Sequence, residues 1–150
     1  MMTAYKPMWL LIVLLSWASC SSYSSETGGS IELTITNIRN NDGWILVSLF
    51  NQSQGFPSDT SRVYRSFILD AESPTLNLNI EDLPPGDYAI AIVHDENQNM
   101  ELDTNLVGAP VEGYAASGSN RRFSAPRFSS SKFSIRSGSV RLEIKMNYLF

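Results

Sequence analysis

Residues 31–36 read IELTIT, and this alternation decides the fold. Ile31, Leu33 and Ile35 fall on one side and Glu32, Thr34 and Thr36 on the other, the period of two that a half-buried strand requires. The same signature closes the chain, where Val140, Leu142, Ile144, Met146 and Tyr148 alternate with Arg141, Glu143, Lys145 and Asn147. Working inward, NNDG (40–43) supplies turn chemistry, with Asp-Gly favouring the positive φ of a tight hairpin. WILVSLF (44–50) follows and is apolar on both faces, as a central strand is.

Val63, Phe67 and Leu69 alternate less cleanly, whereas Leu76, Leu78 and Ile80 alternate well with Asn77, Asn79 and Glu81. In LPPGDYAIAIV (83–93) two prolines and a glycine force a corner that leads straight into an apolar strand. A strand over 132–136 and a Ser137–Gly138 turn precede the last run. The corner, Leu83 to Ala89, resembles that of transthyretin-like domains. No helical stretch follows the leader. The expectation is an all-β fold: a single antiparallel β-sandwich of about seven strands, immunoglobulin-like or prealbumin-like, with one long loop.

The N-terminus is read separately. Lys6 precedes an apolar run from Met8 to Ala18, about a dozen residues and well short of the roughly 20 that span a bilayer. This is the layout of a signal peptide over residues 1–19. Trp17-Ala18-Ser19-Cys20 resembles the bacterial lipobox, whose cysteine is alkylated with diacylglycerol and becomes the first mature residue; Trp17 departs from the leucine usual there. At about 0.8 kcal/mol per buried methylene, two or more acyl chains give stable attachment. The alternative is ordinary cleavage near Ala18, leaving a free thiol. Cys20 is the only cysteine, so it has no intramolecular disulfide partner. Residues 20–30 then read as a lipidated cysteine and flexible tether, and 31–150 as the sandwich domain. The expected location is the bacterial cell envelope, on the periplasmic face of the outer membrane or on the cell surface.

The chain holds 11 Lys and Arg against 15 Asp and Glu, and removing Lys6 with the leader leaves the mature protein at −5. That balance argues against nucleic acid as a partner. The charges are unevenly placed. Arg121, Arg122, Arg127, Lys132, Arg136, Arg141 and Lys145 crowd the last thirty residues, opposed there by Glu143 alone. Such a strip suits phosphate groups or an anionic glycan, or is a set of solvated strand faces, some of them paired with the acidic loop.

That loop is HDENQNMELDTN (94–105), which opens a long connection, up to Lys132, without a clear strand. Such a connection is functional or disordered. Leu102, Leu106, Val107, Val111, Tyr114, Phe123 and Phe128 fit disorder badly, so something is expected to pin the segment down. Asp95, Asn97 and Asn99 stand at positions 1, 3 and 5 of a D-x-N-x-N pattern, with Glu101 at 7 and Asp103 at 9, the alternate oxygens that Ca²⁺ takes. An EF-hand is rejected: Met100 replaces the turn glycine, Leu106 replaces the terminal glutamate, and no helices flank the loop. Three readings stay open. They are a bespoke, dockerin-like calcium loop on Asp95, Asn97, Asn99, Glu101 and Asp103; an Asn/Asp turn that caps its own amides; and a catalytic His94 beside Asp95, Glu96 or Glu101. His94 also continues the Tyr88, Ile90, Ile92 face of its strand, as a satisfied rim histidine does. One histidine cannot build a histidine-rich zinc site, and no G-x-S-x-G elbow or phosphate-cradling loop is present.

His94 to Asn105, then Gly108 to Tyr114, Ser117 and Ala125-Pro-Arg-Phe128 resemble the signature HDxNxNGxLDTN…GxPxEGYGFS…PxF of an uncharacterised family of exported bacterial domains. His94, Asp95, Asn97, Asn99, Leu102, Asp103, Pro110, Glu112, Gly113 and Tyr114 match it, and the likeness runs from about Ile31 to Tyr148. Met100 and Ala115 stand where the family carries glycine. The resemblance implies a prealbumin-like sandwich and no established reaction. The leading expectation is a lipid-anchored binding module for an envelope protein or glycan, with Ca²⁺ as its candidate cofactor. Behind it stand a structural or assembly lipoprotein with a self-capped loop, and a hydrolase using His94.

Overall fold

The computed structural model describes residues 28–118 and 125–150. The leader, Cys20, most of the tether, and Arg121, Arg122 and Phe123 lie outside them. The strands are β1 (Gly29–Thr36), β2 (Trp44–Phe50), β3 (Arg65–Asp70), β4 (Thr75–Leu83), β5 (Gly86–Asp95), β6 (Gly113–Ala116), β7 (Phe133–Ile135) and β8 (Ser139–Lys145), with one short helix, α1 (Phe128–Ser131). They form a β-sandwich of two sheets, one ordered β4-β1-β8 and the other β3-β2-β5-β6, with β7 also on β5.

The alternations translate directly into layers. Ile31, Leu33 and Ile35 point inward from β1 and meet Ile45, Val47 and Leu49 of β2 and Tyr88, Ile90 and Ile92 of β5 in one core. Each such side chain contributes about 1.5–3 kcal/mol on burial. Outward, Glu32 faces its register partner Arg141, and Thr34 donates to the side chain of Asn77. β2 lies between β3 and β5, with Ile45, Val47 and Leu49 buried in the core and Trp44, Leu46 and Ser48 half-buried on the other face.

The expected β-sandwich of about seven mainly antiparallel strands holds; the structure adds detail to it and corrects one reading, the tight hairpin at 40–43. There are eight strands, because the long connection contributes β6, a four-residue strand too short to show a period. β1 and β8 run parallel, so the sandwich is not wholly antiparallel. As first and last strands they have no hairpin to fix their direction, and the intervening chain crosses to the other sheet between them. The Asn40–Gly43 turn keeps its positive φ at Gly43 (+68°) but carries the chain from one sheet to the other rather than making a hairpin. Its geometry is fixed by closeness, since a Cβ on Gly43 would lie 2.0 Å from the Asp95 carbonyl oxygen. β1 starts at Gly29 and has a register shift between Gly29 and Ile31.

β5 organises the end that carries the long connection. Its start, Gly86–Tyr88, pairs with β7, and its end, Ala91–His94, pairs with β6. A bridge between Tyr114 and Asn147 then ties β6 across to the β8 side. The first strand enters at one pole, where Gly29 meets Leu83 and Ile135. β5 runs from that pole to the opposite one, so the 96–112 connection emerges about 30 Å from where the tether joins.

Candidate functional site

The last two residues of β5, His94 and Asp95, are completely buried. His94 Nε2 lies 2.8 Å from the Asp42 carbonyl and Nδ1 lies 2.8 Å from the Tyr148 hydroxyl. A carbonyl only accepts, so Nε2 carries the ring proton, and in the neutral ring Nδ1 accepts from the Tyr148 O–H. The Tyr148 oxygen in turn accepts the Arg39 main-chain N–H at 3.2 Å, and the Arg39 guanidinium lies over its ring at 4.7 Å. Gly113 makes this packing possible: a Cβ there would fall 2.3 Å from the Tyr148 ring.

Asp95 turns its carboxylate into the loop. Oδ1 accepts the N–H of Asn99 at 3.1 Å and Oδ2 that of Met100 at 2.8 Å. Glu112, 4% exposed, does the same from the returning arm, accepting Glu96 N–H at 2.9 Å and Asp103 N–H at 3.0 Å. Two buried carboxylates thus satisfy four main-chain donors that no strand would satisfy. Among the described residues no buried side-chain polar atom lacks a partner.

The candidate ligand residues complete the same pattern. Asn97 Oδ1 accepts from Asn99 N–H and Asn99 Oδ1 from Glu101 N–H. Their amide groups donate to the two Asp103 oxygens at 2.6 and 3.0 Å. The structure therefore brings Asp95, Asn97, Asn99 and Asp103 together, whereas Glu101 contributes its main-chain N–H. Amide N–H donors, not oxygens, face Asp103, and no group of three His, Cys, Asp or Glu among the described residues is placed to hold a metal. As arranged, these side chains cap the loop's own main-chain amides. Met100 occupies the sharp-turn position with φ of +67°, and Gln98 has φ of +64°. A left-handed non-glycine residue costs roughly 1–2 kcal/mol.

Beyond Asp103 the loop continues as a hairpin. Thr104 bridges Pro110, Val111 N–H donates to Asp103, and Asn105 Oδ1 accepts from Val107 and Ala109. Its tip sets Leu106 and Val107 outward at 106% and 87% relative exposure. Leu102 is half-buried. Ser117, buried after β6, fastens the way out by accepting from Ile90 N–H and donating to the Ser131 carbonyl.

Arg39 was not legible as part of this site. Its guanidinium forms a two-pronged ion pair with Glu96 and donates to the Phe150 carbonyl. The pair, with help from Asn40, holds the Glu96 carboxyl below the usual glutamate range. Burial pushes the Tyr148 phenol up. Of the basic C-terminal side chains, Lys132 pairs with Asp87 and Arg141 with Glu32, both partners lying on strands.

Fold and site together define a β-sandwich whose longest connection is clasped from inside by two buried carboxylates. Residues 33–143 match the family described as an uncharacterized protein conserved in bacteria (DUF2141), and the chain belongs to that family. No curated protein and no solved structure matches the chain significantly.

Proposed function

We propose that this domain is a non-catalytic binding module of the bacterial envelope, lipid-anchored through Cys20, which presents the 96–112 hairpin to a partner. The observation that carries this reading is the clasp. Asp95 and Glu112 hold the connection in one shape, and that shape exposes apolar side chains instead of burying them. A single held conformation loses little entropy when a partner closes on it. The site's histidine works inward, with both ring nitrogens engaged and no exposed surface, which supports a binding role over the hydrolase reading.

Calcium titrated into chelator-stripped protein, with Asp95→Ala as control, tests the clasp. The reading expects no saturable heat at micromolar calcium in either protein. Binding abolished by Asp95→Ala would replace the self-capped clasp with a metal-pinned loop. The anchor is tested by palmitate labelling: wild type takes up label and stays with membranes, whereas Cys20→Ser does neither.

A further inference from the structure

The large apolar side chains exposed among the described residues are not scattered. Met100, Leu106, Val107 and Val111 belong to the hairpin loop, and Phe150 is joined to the same pole through Arg39, which also donates to the Val111 carbonyl. Only Tyr64 and Ile68, beside and on β3, lie elsewhere. Between His94 and Glu112 the loop has no basic residue but five carboxylates, of which Asp95 and Glu112 are buried, leaving Glu96, Glu101 and Asp103 towards solvent. Arg39 offsets Glu96 alone.

We propose that the hairpin tip is a docking knob for a protein partner, with Leu106 and Val107 entering an apolar pocket rimmed by basic side chains. The proposal deepens the presenting-module reading and rests on it. Two observations select a protein over a lipid surface. The tip lies at the pole opposite Gly29, on the side of the domain about 30 Å from where the tether joins. Its acidic surround would be repelled by anionic phospholipid and attracted by a basic rim. The exposed two-residue knob, on a turn whose amides are capped by Asn105, also has the form of an interface anchor, in which a few side chains carry most of the affinity.

The test places a photo-crosslinking amino acid at position 106, at 107, or at the exposed position 79 on β4, in the full chain with its own leader, irradiated in intact cells. Positions 106 and 107 are expected to give one protein adduct that position 79 does not give. Its cross-linked peptide should map to an apolar pocket flanked by Lys or Arg. Leu106→Asp, read with the crosslinker at 107, and Glu101→Lys should each lower the yield about tenfold, with thermal midpoints unchanged because neither side chain is packed. Adducts with phospholipid or a second copy of this chain would overturn the protein partner while leaving a presenting surface intact. Yields unmoved by Glu101→Lys would overturn the basic rim. No adduct above that of position 79 would overturn both the knob and the presenting-module reading.

Discussion

Glu112 holds Asp103 to the sandwich: its Oε2 accepts the Asp103 main-chain N–H at 3.0 Å, while Oε1 accepts that of Glu96 at 2.9 Å. One side chain thereby fixes both arms of a connection that has few strand contacts of its own. Glu112→Gln keeps the size but puts an NH₂ donor against a main-chain N–H, leaving a buried donor without its acceptor. The expected cost is about 1–3 kcal/mol, read as a fall of several degrees in the thermal midpoint. Glu101→Gln, on an exposed side chain, should stay within about 0.5 kcal/mol of wild type. Equal effects would remove Glu112 from the clasp.

Met100 should be improvable. It sits at φ of +67° with its side chain half-exposed, so glycine relieves left-handed strain and sacrifices little packing. Met100→Gly is expected to raise stability by about 0.5–1 kcal/mol, and Met100→Ala to give no such gain. Urea melts of both variants against wild type decide this, and destabilisation by glycine would mean that the Met100 side chain packs.

Among the described residues, the Tyr148 hydroxyl is the hydrogen-bond partner of His94 Nδ1. Tyr148→Phe should cost about 1–3 kcal/mol, because a completely buried ring nitrogen loses its hydrogen bond. Gly113→Ala should be at least as harmful, since its Cβ falls within 2.3 Å of the Tyr148 ring. Both are read by thermal melts, with near-ultraviolet circular dichroism reporting on the tyrosine environment. A neutral Tyr148→Phe would break the chain from Asp42 through His94 to Arg39.

Acid should loosen the same pole through Glu96. Its carboxyl titrates below the ordinary 4.5 because Arg39 and Asn40 favour the charged form. A depressed folded pKa means that the stabilisation is complete above the unfolded value. It is lost as pH falls through the folded one, so the expected window opens below about pH 4.5 and extends downward. Arg39→Met should flatten the stability profile across that window. A profile of wild-type shape in Arg39→Met would show that the ion pair does not set the acid response.

Much of the architecture was legible because strands declare themselves by period. Ile31, Leu33 and Ile35 announced β1, and the Pro-Pro-Gly corner announced β5. β6 was not legible, because Gly-Tyr-Ala-Ala is too short and too weakly alternating to stand out. The parallel pairing of β1 with β8 was hidden for another reason: alternation reports which side is buried, not which neighbour lies alongside. At the site, the Asn and Asp spacing marked the loop but left its chemistry open, since the same oxygens suit a cation or their own backbone. The direction of the Asn97 and Asn99 amides and the reach of Glu112 across from the other arm come only with the fold. Arg39 carried no local pattern. Its partner lies 57 residues away, and only the fold brings them together.

The central claim, a loop clasped by its own carboxylates, is tested most directly by residue-resolved hydrogen exchange on metal-stripped protein. The amides of Glu96, Asn99, Met100 and Asp103 should be protected, with Glu112→Gln releasing Glu96 and Asp103 while Asn99 and Met100 stay slow. Free exchange of all four in the stripped wild-type protein, with protection returning only when calcium is added, would contradict it.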